Sequence, residues 1–245
     1  MSLTLRILIL GGTSEARAIA DRLVSLDHDV TTSLAGVTTS PILPVGKIRV
    51  GGFGGGAGLV EYLRAHRIEV LVDATHPFAA TMSRHAFEAA QITGCRLLRF
   101  ERVAWEILAV DVASLTEAAS VLPSGAVVLV TTGRKELGPF LARSDLSGII
   151  RTVEPIAEVL PVGWRVVLDR PPQSLESEMA LMRDNGVTHL VTKNAGGERT
   201  QAKLEAARVL GLPVIMVRRP VKPVCETVTT IEAVVMRLGT SAGFG

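Results

Sequence analysis

The stretch Ile7-Leu8-Ile9-Leu10-Gly11-Gly12-Thr13-Ser14-Glu15-Ala16-Arg17 decides how the rest of the chain is read. Its apolar run, taken as a strand over Leu5–Leu10, meets two glycines and then a helical pattern. Ala16, Ile19, Ala20 and Leu23 recur at 3–4 spacing, which predicts a helix over Ser14–Leu26. Glycines let backbone approach a ligand closely, and Thr13 or Ser14 is suited to capping the helix. A helix start offers unpaired N–H groups and the positive end of a dipole, a seat for a pyrophosphate. Gly11, Gly12, Thr13 and Ser14 are therefore candidate cofactor-binding residues. The run is not a G-x-G-x-x-G motif, and an ordinary tight βα turn with a Ser/Thr cap also accounts for it.

The same alternation continues outward. In the first half, strands are predicted at Asp29–Leu34, Lys47–Val50, Val70–Asp73 and Arg96–Arg99, with helices at Gly58–His66 and Phe78–Thr93. In the second half, strands fall near Val127–Val130, Ile149–Thr152, Val166–Leu168, His189–Thr192 and Val214–Val217. Helices are predicted near Arg134–Ala142, Ser174–Asp184, Glu198–Leu210 and Ile231–Leu238. Such alternation points to an α/β chain of parallel sheets covered by helices on both faces. About ten strands would overfill one open sheet, so two five-stranded α/β domains with a cleft between them are expected. The boundary is placed near Phe100–Glu106, giving 1–100 as a cofactor domain and 101–245 as a substrate domain.

Composition excludes several classes. With 245 residues, 47% hydrophobic and 20% charged, the chain is neither disordered nor low in complexity. A balance of 26 basic and 24 acidic residues gives no reason to expect nucleic acid. The bases are 21 Arg and 5 Lys, which fits either an anionic ligand or a genome that favours Arg. Cys95 and Cys225 form no metal-spaced cluster, so neither structural zinc nor a disulfide scaffold is expected. Neither a signal peptide nor a membrane span is read, and a cytoplasmic protein is the expectation.

The exit of the second predicted strand, Ser33-Leu34-Ala35-Gly36, lacks the carboxylate that holds an NAD ribose, and Asp29 sits at the opposite end. A 2′-phosphate would meet hydroxyls there, so NADPH is the expected cofactor, with Ser33, Ala35 and Gly36 beside it. Arg17 is one source of the cation, though the residues do not single it out. The run Gly51-Gly52-Phe53-Gly54-Gly55-Gly56-Ala57-Gly58 reads as a mobile loop at the rim of the cofactor site, with Phe53 over the adenosine half, or as a plain connection. Thr75, His76, Pro77 and Phe78 follow the fourth strand, where they can position a nicotinamide or its substrate. His76 is the candidate for moving a proton; a structural hydrogen-bonding role is the alternative. In the second half, Thr132, Gly133, Arg134 and Lys135 follow one strand, and Lys193, Asn194, Gly196, Gly197 and Thr200 follow another, with Lys203 beyond. Both segments are expected to set cations and hydroxyls at helix N-termini, and together they point to a polyanion site rather than two solvated helix starts.

The chain has no Tyr-x-x-x-Lys pair, since Tyr62 is followed by His66, and it lacks both the G-x-x-x-x-G-K-[ST] loop and the G-x-S-x-G elbow. That weakens a sugar-nucleotide or small-carbonyl reductase and leaves hydride transfer from a bound cofactor.

Gly11-Gly12-Thr13-Ser14-Glu15, Asp73-Ala74-Thr75-His76-Pro77-Phe78-Ala79, Thr132-Gly133-Arg134-Lys135 and Lys193-Asn194-Ala195-Gly196-Gly197 occur in that order. With Thr200, Lys203 and Arg219-Pro220 they resemble the precorrin-6A reductases of cobalamin (vitamin B12) biosynthesis. The resemblance runs from about Ile7 to Pro220. It implies two Rossmann-like domains and NADPH-dependent reduction of one double bond of a polycarboxylate tetrapyrrole, precorrin-6A, to give precorrin-6B. The basic residues of the second half would then hold the carboxylates. A Rossmann-type regulator or scaffold that binds NADP without turnover is the alternative from another class.

Overall fold

The computed structural model describes residues 4–36, 43–157 and 159–239. They form two units, one within Met1–Arg102 and Pro220–Gly245, the other Val103–Arg219. The first unit opens with strands β1 (Arg6–Leu10), β2 (Asp29–Leu34), β3 (Lys47–Val50), β4 (Val70–Asp73) and β5 (Arg96–Phe100). Helices α1 (Ser14–Val24), α2 (Gly56–Ala65) and α3 (Ala80–Thr93) alternate with them. The second unit holds β6 (Val110–Val112), β7 (Val127–Val130), β8 (Ser147–Thr152), β9 (Trp164–Leu168), β10 (His189–Lys193) and β11 (Val214–Val217). Its helices are α4 (Leu115–Ser120), α5 (Gly138–Leu141), α6 (Leu175–Asp184) and α7 (Ala202–Val209), with a single 3-10 turn at Glu198–Thr200. The chain then returns to the first unit with β12 (Thr227–Val228) and α8 (Ile231–Gly239).

Among the described residues each unit has one six-stranded, all-parallel sheet, in the orders β12-β5-β4-β1-β2-β3 and β6-β11-β10-β7-β8-β9. The expectation of five strands per sheet is corrected by β6 and β12. Both are short edge strands, too brief to show a pattern of their own. The first unit's opening segment closes at Arg102, within the Phe100–Glu106 stretch, and the residues beyond Arg219 do not stay with the second unit. Pro220 onward completes the first sheet instead.

Central strands buried on both faces explain why the apolar runs are continuous. Ile7 and Ile9 of β1, with Val70 and Val72 of β4, pack beneath Ile19 and Leu23 of α1 and Val234 and Leu238 of α8. Leu8, Leu10 and Leu71 point to the other face, against Leu59 and Leu63 of α2 and Ala86 and Ala89 of α3. In the second unit Leu129, Ile149, Leu190 and Met216 pack with Met182, Leu204 and Trp105. No helix among the described residues is long and apolar enough to cross a membrane.

Among the described residues, two buried ion pairs sit within these cores. In the first unit Arg99 Nε donates to Asp73 Oδ2 at 3.1 Å, with side chains only 4% and 1% exposed. Arg99 Nη1 also donates to the Pro223 carbonyl at 2.8 Å, and the Arg99 N–H to Glu226, which ties the returning segment to β5. In the second unit Arg151 Nη1 lies 2.7 Å from Glu178 Oε1. Lys203 is buried beside that pair, its Nζ donating to the Thr200 carbonyl at 2.9 Å and lying 5.0 Å from the Trp105 ring centre. Burial, reinforced by the Arg151 charge and opposed by Glu178, pushes the Lys203 ammonium down to about 7.

Arg99→Met leaves the Asp73 carboxylate buried and unpaired, so stability should fall by about 3–5 kcal/mol. A lower urea midpoint at unchanged slope checks this, and adding Asp73→Asn should recover part of the loss. The unfolded chain keeps the Lys203 proton up to about 10.5, whereas the folded protein releases it near 7. Between those values the unfolded state binds more protons, so this group makes the protein more stable as pH rises. The stability of the wild type relative to Lys203→Met should therefore grow from about pH 7 to about pH 10 in urea titrations, and a flat difference contradicts the burial argument.

Candidate functional site

In each unit the chain lays three strands to one side and then crosses back to the other. Loops at such a reversal open a crevice outside the carboxyl ends of the strands. In the first unit the reversal falls between β1 and β4, where Leu10 and Asp73 lie in register. Gly11 to Ser14 leave one strand there and Ala74 to Phe78 leave the other.

Sterics dictate the glycine turn. A Cβ on Gly11 would come within 2.8 Å of Thr32 Cγ2 and 3.3 Å of the Ser33 carbonyl, to which the Gly11 N–H donates at 2.9 Å. Gly12 has φ +106°, a left-handed conformation, and a Cβ there would meet nothing within 4 Å. Thr13 caps α1, its Oγ1 accepting from the Ala16 N–H at 3.0 Å and donating to the Ala74 carbonyl at 2.9 Å. That hydroxyl ties the two loops of the reversal together. Ser14 starts the helix, and Arg17 lies half-buried one turn further on. Glu15 would set a negative charge near this helix start, but Arg102 Nη2 donates to its Oε2 at 2.7 Å. Burial pushes the Glu15 carboxyl up, yet the hydrogen bond and charge of Arg102 outweigh it and hold the group below its ordinary value.

On the other side of the reversal, Asp73 Oδ1 accepts from Thr75 Oγ1 at 2.7 Å and from the Thr75 N–H at 3.3 Å. His76 is exposed, Pro77 buried, and the Phe78 N–H donates to His76 Nδ1 at 3.3 Å. The His76 and Phe78 ring centres are 5.9 Å apart. Helix α3 begins at Ala80, so Pro77 and Phe78 form a turn before it instead of opening it, as Phe78–Thr93 had implied.

Ser33 is buried at the end of β2, while Ala35 and Gly36 are exposed beyond it. Asp29 is at the far end of β2, 2.8 Å from Lys47 Nζ. Phe53 lies against Tyr62, ring centres 5.2 Å apart, and beneath the Arg49 guanidinium. The Gly51–Gly58 run is fastened at its start, because Arg49 donates to the Gly51 and Gly52 carbonyls.

The second unit repeats the device between β7 and β10. The Thr131 N–H and Oγ1 both donate to the Val191 carbonyl, at 2.9 and 3.2 Å, which ties the first basic loop to β10, the strand that carries the second. Thr132 is buried, and its Oγ1 has no hydrogen-bond partner among the described residues. Such an orphaned hydroxyl is a group for a ligand or water to satisfy. Arg134 Nη1 donates to the Pro155 carbonyl at 3.4 Å and Lys135 is exposed. The expected helix over Arg134–Ala142 is corrected: α5 begins only at Gly138, so Gly133, Arg134 and Lys135 occupy a turn, not a helix N-terminus. Glu198–Leu210 is likewise split into the 3-10 turn, which carries Thr200, and α7.

Lys193 ends β10, 3.7 Å from Glu136 and largely buried. Gly196 is buried, and the Gly197 carbonyl accepts from Trp105 Nε1 at 3.0 Å. The Asn194 side chain is committed to the Trp105 backbone, accepting its N–H at 2.9 Å and donating to its carbonyl at 3.1 Å. Its own carbonyl accepts from Arg219 Nε at 2.8 Å. Lys203 lies under these loops, not on them. The structure thus gathers Gly11–Ser14 with Thr75–Phe78, and Thr132–Lys135 with Lys193–Gly197, while Asn194 and Lys203 underpin the loop. Arg49, Arg99, Arg102 and Trp105 went unnoticed in the sequence as site-forming residues. Only Arg49 had a local signal, a basic residue at a strand end before a glycine run.

The chain matches the family profile described as Precorrin-6x reductase CbiJ/CobK over residues 6–239. It is 43% identical over 242 residues to the precorrin-6A reductase of Rhodococcus erythropolis, covering 96% of this chain and 98% of that one. It is 41% identical over 235 residues to the precorrin-6A reductase of Rhodobacter capsulatus, covering 94% of each. A solved structure of CobK precorrin-6A reductase superposes with a TM-score of 0.89 at 39% identity, covering 96% of both chains. With the profile spanning both sheets, and with a solved relative of the same fold, this chain belongs to the precorrin-6x reductase family of nicotinamide-dependent oxidoreductases in cobalamin biosynthesis.

Proposed function

We propose that this chain reduces one double bond of precorrin-6A with NADPH, giving precorrin-6B, and that its two units divide the work. The observation that carries the reading is the pair of fastened reversals, one lined by glycines and hydroxyls, the other by cations. The first fits a dinucleotide: Gly11 lets the turn pack against β2, and Gly12 leaves open space where another residue would put a Cβ, directly before the start of α1. NADPH supplies the hydride, and no residue of the chain is needed as a covalent nucleophile.

Gly12, Thr13 and Ser14 would bind the pyrophosphate, with Arg17 nearby, and Arg102 keeps Glu15 from repelling it. Ser33, Ala35, Gly36 and Phe53 would receive the adenosine end. Thr75, His76, Pro77 and Phe78 would orient the nicotinamide end, held in place by Asp73. His76 is the candidate proton carrier. Because its Nδ1 accepts from Phe78, the neutral ring carries its proton on Nε2. The exposed ring can then exchange that proton with solvent.

The second reversal fits a substrate rimmed with carboxylates. Lys193, Arg134 and Lys135 supply positive charge, and Thr132, Gly133, Gly196, Gly197 and Thr200 supply backbone or hydroxyl contacts. Asn194 and Lys203 act through the loop they brace. Alignment of the reacting carbon with the hydride, not covalent chemistry, would provide most of the rate.

Loss of NADPH absorbance is expected only when precorrin-6A is added. Binding of NADPH without turnover would favour the regulator reading. Lys193→Ala should raise the KM for precorrin-6A about tenfold or more at saturating NADPH, the effect of one charge-assisted bond, with a smaller change in kcat. An unchanged KM would argue against the carboxylate clamp.

A further inference from the structure

We infer that Arg49 is the residue that reads the 2′-phosphate of the cofactor, and so sets the choice of NADPH over NADH. The inference rests on the NADPH reading above and assigns to it a cation that the sequence left open. Three neighbouring parallel strands place the relevant residues in one row: Leu10 of β1 is in register with Ser33 of β2, and Ser33 with Arg49 of β3. The Ser33 carbonyl holds the Gly11 N–H, so the glycine turn, Ser33 and Arg49 share the carboxyl edge of the sheet. Residues in register on parallel strands face the same side, and Arg49 Nη1 lies 3.4 Å from Ser33 Oγ.

The guanidinium is also held in orientation. Its Nη1 donates to the Gly51 carbonyl at 2.5 Å and its Nη2 to the Gly52 carbonyl at 2.7 Å. Its carbon sits 3.8 Å from the Phe53 ring centre and 5.3 Å from that of Tyr62. The Phe53 backbone is packed closely against the start of α2, where a Cβ on Gly58 would lie only 1.7 Å from its carbonyl oxygen, and its ring stands edge-on to Tyr62. A planar fork oriented in advance loses little freedom when it grips a phosphate.

Charge completes the case. Arg49 makes no ion pair among the described residues, so its charge is left for an anion. Ser33, Leu34, Ala35 and Gly36 present no carboxylate, and Asp29 is paired with Lys47 at the opposite end of β2. Arg102 is paired with Glu15. A 2′-phosphate carries about −1.5 to −2 charge at neutral pH and is the one group that distinguishes NADPH from NADH.

The test compares wild type, Arg49→Gln and Arg49→Lys by kcat/KM for NADPH and for NADH with precorrin-6A, and by binding of 2′,5′-ADP and 5′-AMP. The preference of the wild type for NADPH should fall roughly 100-fold in Arg49→Gln, the loss of two charge-assisted bonds, and recover in part in Arg49→Lys. Affinity for 2′,5′-ADP should fall by a similar factor while that for 5′-AMP holds. Equal losses with both cofactors and both nucleotides would make Arg49 a support of the glycine loop and overturn the inference, as would an unchanged preference. If the wild type itself shows no preference for NADPH, the NADPH reading fails at that first measurement, before any variant is compared.

Discussion

The buried pair of Asp73 and Arg99 is the constraint on which the first unit depends. Asp73 is the last residue of β4, and its two carboxylate oxygens do different things. One accepts from the Thr75 hydroxyl and N–H, and so shapes the loop that carries His76 and Phe78. The other accepts from Arg99, which in turn reaches the carbonyl of Pro223. A charge buried this deeply is tolerated only when its partners are in place, because it has almost no contact with water. The candidate loop and the returning chain are therefore ordered together. Lys222 with Glu101 and Arg96 with Glu226 add further ties at 3.3 and 3.0 Å, nearer the surface.

The two units solve one problem twice. Each winds its sheet outward in one direction, reverses, and uses a threonine at the reversal to fasten the first loop to the strand across it or to that strand's loop. Thr13 bonds the Ala74 carbonyl in one, and Thr131 bonds the Val191 carbonyl in the other. The difference in proposed role follows from what surrounds the threonine. Glycines and a capped helix start suit a pyrophosphate, whereas Lys193, Arg134 and Lys135 suit a rim of carboxylates. The first sheet is also completed from outside its own βα series, by β12 after the second unit, whereas β6 opens the series of the second.

Most of the elements were legible because their signals are local. Continuous apolar runs mark central parallel strands, and 3–4 spacing marks the helices that cover them. The elements that escaped notice are those with weak local signals. Residues Val110–Val112 and Thr227–Val228 are strands only because β11 and β5 offer them free edges. Helix α5 shrinks to Gly138–Leu141 because Gly133 and Glu136 take left-handed conformations, at φ +93° and +64°, and interrupt the helical path. Among candidate site residues, Thr13 and Thr75 announced themselves beside glycine, proline and strand ends. Arg99 resembled any strand residue, since its importance lies in a partner 26 positions earlier and a carbonyl 124 positions later.

By itself the amino-acid order determined the alternation of strands and helices, the parallel class of the sheets, the family motifs, and the glycine and hydroxyl loops that carry them. Those properties depend on side-chain periodicity and backbone freedom within a few residues. Only the tertiary structure decided that Pro220 onward belongs with the first sheet, that Asn194 and Lys203 brace a loop from beneath, and that Arg49 stands in line with Ser33 and the glycine turn. Each of these is a pairing between residues far apart in the chain. Such pairings form only when burial and strand register bring their partners together, and neither is written in any short stretch of sequence.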